Sequence, residues 1–143
     1  MRSTSLHLKS FQRSEIPFSE QVLFIHSRLI DTTGGALGIR DIGLLQSAVS
    51  RPRATFEGAD IYPDLFHKTA ALMESLARNH PFIDGNNRTA ITSAAILLAM
   101  NGYRLEADQK ELERFTLAAL VGKLPFYEFV SWFRMHATKG LSS

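Results

Sequence analysis

The chain predicts an all-α domain, a compact bundle of about six helices with a small flap or hairpin near residues 53–62. Apolar residues recur at three- and four-residue spacing along most of its 143 residues. Gly and Pro fall between those stretches at helix-length intervals, and there is no internal repeat, linker or low-complexity stretch. The length suits a single domain over 1–143, with 1–17 read as a loosely ordered N-terminal extension.

The first helix is expected from Pro17-Phe-Ser to about Asp31, capped by Ser19, with Val22, Ile25 and Leu29 as its stripe. Thr32-Thr-Gly-Gly-Ala-Leu-Gly38 ends it, because adjacent glycines accept positive φ. Asp41 caps a short second helix through Leu44, Leu45, Ala48 and Val49, which Pro52 stops. The flap follows, β-forming residues around a central Gly58. Pro63 is placed in the first turn of the next helix, whose Leu65, Thr69, Leu72, Leu76 stripe leads to Asn79 and His80. Pro81 disfavours helical geometry at His80, so that helix ends there with the imidazole at its C-terminal edge. Another helix starts near Asn86 or Asn87, follows Ala90, Ile91, Ala94, Ala95 and Leu98, and closes at Asn101-Gly102. Two more fit Asp108 to Val121 and Pro125 to Ala137.

Composition narrows the function classes. There is no cysteine, which excludes a disulfide framework, a Cys-ligated zinc site and a thiol nucleophile. The first residues hold no apolar signal core and no stretch has the length of a membrane helix, so a cytoplasmic protein with no membrane partner is expected. The net charge is only +2 and the basic residues are scattered, which sets a DNA-binding helical domain behind an enzyme. His7, His26, His67, His80 and His136 form no i, i+4 pair, which argues against a metal-dependent hydrolase.

The segment from His80 to Arg88 is too polar for a mere connector, where Gly and Asn would suffice. A helix N-terminus offers free N–H groups and the positive end of the macrodipole, and Gly85 lets an anion approach the backbone. Arg88 can add a planar fork to phosphate oxygens, and Asp84 can hold Mg²⁺. His80 completes the set as general base for an incoming hydroxyl. Taken singly, His80 is as well read as a helix cap, Asp84 and Asn86 as N-caps and Arg88 as a solvated charge; it is their concentration that points to chemistry.

His80-Pro-Phe-Ile-Asp-Gly-Asn-Asn-Arg88 resembles the Fic/Doc signature His-x-Phe-x-Asp/Glu-Gly/Ala-Asn-x-Arg at every fixed position. The likeness extends through Ile25-His26, Thr33-Gly-Gly, Gly38-Ile-Arg-Asp, Arg51-Pro, Tyr62-Pro and Asn101-Gly-Tyr, and is similar to the death-on-curing branch. The resemblance implies ATP and Mg²⁺ bound at this turn and part of the nucleotide transferred to a Ser, Thr or Tyr hydroxyl of a target protein. By position, His80 is the base, Asp84 the magnesium ligand, Gly85, Asn86, Asn87 and Arg88 the nucleotide cradle, and Phe82 a buried anchor. It also implies that the flap aligns the target segment by strand addition.

Asn87 stands where adenylylating members have Gly and Doc toxins have Lys, and Ile91 stands where adenylylating members have a second arginine. The self-silencing Ser/Thr-x-x-x-Glu pattern of many Fic proteins is missing. These features imply a Doc-like toxin that phosphorylates its target and is held by a separate antitoxin. Fic-type AMP transfer is the alternative, ahead of a non-catalytic nucleotide-binding module.

Overall fold

The computed structural model describes residues 15–140, so most of the expected N-terminal extension lies outside the described residues. In chain order the elements are α1 (Ser19–Thr33), α2 (Ile42–Ser50), a 3₁₀ turn (Arg51–Arg53), β1 (Thr55–Phe56), β2 (Ala59–Asp60), α3 (Leu65–Asn79), α4 (Asn86–Met100), β3 (Tyr103–Leu105), α5 (Gln109–Val121), α6 (Phe126–His136) and β4 (Ala137–Lys139). The architecture is the expected all-α bundle, with two small ribbons. No helix among the described residues is long and apolar enough to cross a membrane.

α3 is the axis of the bundle. Every residue from Lys68 to Ala77 is buried, and α4, α6 and α2 pack around it. Ala90 and Ala94 of α4 have no exposed surface, and residues this small let two helix backbones approach closely. The core continues through Leu72, Met73, Leu76, Leu97 and Leu98 to Phe129 and Phe133 of α6. Polar groups on α3 are satisfied where they are buried. Glu74, 3% exposed, meets Arg51 at 2.7 Å and Arg78 at 3.1 Å, and the Arg51 guanidinium also lies 5.2 Å from the rings of Tyr62 and Phe126.

Several boundaries differ from the expected ones for local reasons. Ser19 is the first residue of α1, and the cap is Phe18, whose N–H donates to Gln21 Oε1 at 2.6 Å, one half of a capping box. Pro63 precedes α3, which is capped by Asp64 accepting from the His67 N–H at 2.9 Å. The flap is a hairpin with Thr55 opposite Asp60, and its turn residues Glu57 and Gly58 have φ of 50° and 82°, the conformation that joins two strands tightly. Lys68 ties it to α3, with Nζ 3.0 Å from Asp60 Oδ2. The β3–β4 ribbon, pairing Tyr103 with Lys139 and Leu105 with Ala137, was not anticipated, since three-residue strands leave no readable alternation.

Phe133 has no exposed surface and meets Phe115 and Trp132 edge-on, each at 5.5 Å. Phe133→Ala is expected to lower stability by roughly 3–5 kcal/mol, seen as a reduced denaturation midpoint at unchanged slope. A loss within about 0.5 kcal/mol, the range of surface changes, would place Phe133 outside the core.

Candidate active site

α3 stops where its sequence forces it to. The α conformation is disfavoured for the residue before Pro81, and His80 takes φ 48° and ψ 58°, the left-handed region in which a Cβ is strained. Glycine is the usual occupant of that position. Here an imidazole occupies it, half-buried, and lines a cleft of about 370 Å³.

The other wall of the cleft is the N-terminus of α4. Gly85 caps it at φ 77° and ψ 20° without a side-chain acceptor. Thr89 makes the first bond back, to the Gly85 carbonyl at 2.9 Å, which leaves the N–H groups of Asn86, Asn87 and Arg88 outside the helical ladder. No acidic residue sits in this first turn, so the positive end of the helix dipole is not offset from within. A Cβ on Gly85 would stand 3.1 Å from Ile30 Cδ1 and in a strained conformation, which explains glycine there.

Asp84 lies exposed between the two walls. Its Oδ2 accepts from the Ala36 N–H at 3.1 Å and its Oδ1 from the Gly85 N–H at 2.8 Å. The Ala36 bond, then the Gly85 bond, and the nearby charge of Arg88 hold this carboxyl below the usual carboxylate range. Gly35 is the residue that lets the α1–α2 loop come so close, since a Cβ there would fall 2.6 Å from Oδ2. Arg88 is held by the same loop, donating from Nη1 to the Thr33 hydroxyl and more weakly from Nη2 to the Gly34 carbonyl at 3.4 Å.

Beneath these groups lies the anchor. Phe82 is 1% exposed and stacks flat on His26, centroids 3.8 Å apart at 5°. His26 is itself buried and donates from Nε2 to the Asp84 carbonyl at 2.8 Å, fixing the peptide that carries the carboxylate. Asn86 closes the turn with both ends of its amide: Oδ1 accepts from the Phe82 N–H and Nδ2 donates to the Phe82 carbonyl, each at 2.9 Å. Its side chain is therefore occupied, and what Asn86 offers a ligand is its backbone N–H. Asn87 differs, since its buried Oδ1 has no partner among the described residues.

All six candidate residues, His80, Asp84, Gly85, Asn86, Asn87 and Arg88, line the one cleft. Sequence reading missed His26 as a site residue because it falls on the buried stripe of α1, one turn after Val22. It also took the Thr33 to Gly38 glycines only as a helix-ending loop, although they form the floor on which Asp84 and Arg88 rest. Among the described residues no group of three His, Asp or Glu side chains converges on a metal position. A single ionised carboxylate beside free N–H groups fits Mg²⁺ held jointly with phosphate oxygens rather than a protein cage.

A helix end bearing an imidazole thus faces, across one cleft, a helix start with open N–H groups and a carboxylate. The chain belongs to the Fic/DOC family, whose model matches residues 17–98. It is similar to the protein kinase Doc of Escherichia phage P1, 33% identical over 105 residues, covering 73% of this chain and 82% of that one. It is also similar to the toxin Doc of Mycolicibacterium smegmatis, 56% identical over 75 residues, covering 52% of this chain and 58% of that one. The match thus spans under two thirds of the mycobacterial relative's length.

A carboxylate whose pKa is lower in the folded than in the unfolded chain contributes stability that is present above the unfolded pKa and lost as the pH falls through the folded value. Removing the Asp84 charge should remove its share of that acid-limb loss. Asp84→Asn is therefore expected to lose less stability than the parent between neutral pH and pH of about 3, just below the ordinary Asp pKa, measured by chemical denaturation at each pH. Parallel curves for the two proteins would show that the Ala36 and Gly85 donors do not favour the ionised form.

Proposed function

We propose that this protein is a Doc-like toxin that transfers a phosphoryl group from ATP to a Ser or Thr hydroxyl of a target protein. The observation that carries the proposal is the convergence on one cleft of the αL imidazole of His80, the ionised Asp84 and the open N-terminus of α4. The names of the two relatives, a toxin Doc and a protein kinase Doc, support the reaction. So does Ile91, an apolar residue where the adenylylating pattern has its second arginine.

Bound Mg²⁺–ATP supplies an electrophilic phosphorus whose surrounding charge the cation partly neutralises. The chain's own groups have separable tasks. His80 accepts the proton of the attacking hydroxyl, a role worth roughly 10²–10⁴-fold. Asp84 takes part in holding the cation, and its depressed pKa keeps it ionised at neutral pH. The N–H groups of Asn86, Asn87 and Arg88 donate to phosphate oxygens in place of the missing helical carbonyls. Among the described residues the Arg88 guanidinium keeps unused donors beside them, and Thr33 and Gly34 hold it in place. A separate antitoxin and a cytoplasmic setting belong to the same proposal.

His80→Ala is expected to abolish transfer to the target while leaving calorimetric ATP affinity and the melting temperature near parental values. If His80 only terminated α3, activity per folded molecule would be retained instead.

Asn87 should influence which phosphate meets the acceptor, because its neutral amide adds no charge where Lys would add one. Intact-mass measurement on one target protein is expected to show phosphate added by the parent and by Asn87→Lys, with adenylate gained by Asn87→Gly. The same added group from all three would move the control of orientation away from residue 87.

A further inference from the structure

Left-handed geometry at a non-glycine residue persists only where the surroundings impose it. What imposes it on His80 comes from far along the chain. Arg40 donates from Nε to the His80 carbonyl and from Nη2 to the Asn79 carbonyl, both at 2.7 Å, so one planar fork satisfies the last carbonyls of α3. The backbone beside it continues the grip. The N–H groups of Arg40 and Asp41 both bond the Pro81 carbonyl, at 2.7 and 3.0 Å, Ile39 bridges Phe82, and the Gly38 carbonyl accepts from the Ile83 N–H at 3.1 Å. The loop that ends by clamping His80 begins by binding Asp84 through Ala36. It is a splint laid antiparallel along the segment from His80 to Asp84.

We propose that Arg40 is a positioning residue for the phosphoryl transfer: its guanidinium holds His80 in the left-handed conformation from which the imidazole faces the cradle. The proposal rests on the reading of His80 as the base. Arg40 need not touch ATP or the acceptor, and it acts only through the backbone of Asn79 and His80. A capping role alone would require donors at the end of α3, which Lys or water can supply. The two-point fork supplies a fixed angle as well, and the angle is what a misplaced base lacks.

The test compares the parent with Arg40→Gln and Arg40→Lys in the full chain. A strong intraresidue amide-to-Hα NOE at His80 reports the left-handed backbone. Radiolabel transfer from γ-labelled ATP to proteins of a bacterial lysate reports the reaction, and calorimetry with Mg²⁺–ATP reports binding. The expected result for Arg40→Gln is loss of the NOE and a fall in labelling rate on the order of 10²-fold, the scale of a reacting group displaced by about 1 Å, with ATP affinity unchanged. Arg40→Lys, with its charge but not its fork, should fall between, and it carries the test alone if the Gln variant does not fold. Retention of the NOE in both variants overturns the proposal, and so does loss of the NOE with parental labelling. A parent that shows the NOE and binds Mg²⁺–ATP but labels nothing overturns the kinase reading, and the assigned role of Arg40 with it.

Discussion

The structure turns on the forced end of α3. A helix buried along its middle ten positions, Lys68 to Ala77, breaks abruptly because Pro81 lacks a donor and disfavours the α conformation at the residue before it. Its terminal carbonyls then face protein rather than solvent and need donors, and an unmet carbonyl there would be costly. The α1–α2 loop meets that need, which is why it follows the segment from His80 to Asp84 residue by residue. Once the loop is pinned, Asp84, Arg88 and the start of α4 are placed by the same set of bonds. The candidate cleft is thus the consequence of terminating one helix and starting another under a shared splint.

The anchor beneath works by a different kind of force. Phe82 and His26 stack within the core, where contact area holds them, while the His26 bond to the Asp84 carbonyl ties that packing to the polar surface. Asn86 reinforces the link by binding both backbone groups of Phe82. The result is a turn whose polar upper face is held by apolar packing below. This explains how an exposed Asp84 can keep a defined geometry without an ion-pair partner at its own carboxylate among the described residues.

What could be read from the chain divides along the range of the interactions. Helix positions, the break at His80 and the clustering of the candidate residues were legible because the signals are local: apolar spacing, Pro81 and a dense polar turn. The starts of α1 and α3 were misplaced by a residue or two, with Ser19 read as the cap of α1 and Pro63 as part of the first turn of α3, since only the geometry of Gln21 and His67 shows that Phe18 and Asp64 are the caps. Arg40 and His26 were seen as letters in a pattern but not as parts of the site. Their partners lie at sequence separations of 39 to 58 residues, and no spacing rule reports which carbonyl a guanidinium or imidazole will find. The glycines before Gly38 were assigned to helix ending, whereas Gly35 is fixed by its approach to Asp84.

The family match closes at residue 98, yet the bundle does not. α6 lies wholly beyond that limit and buries Phe129, Val130 and Phe133 against the core, and β4 returns to pair with β3 beside the end of α4. The stretch that carries the signature is therefore not a unit of folding. A fragment trimmed to the recognisable region would retain every group of the cleft while exposing one flank of the buried helix that sets them. The residues that line the cleft and the residues that pack its supporting helix therefore occupy different lengths of this chain, and a core substitution in α6 would reach the cleft only through α3.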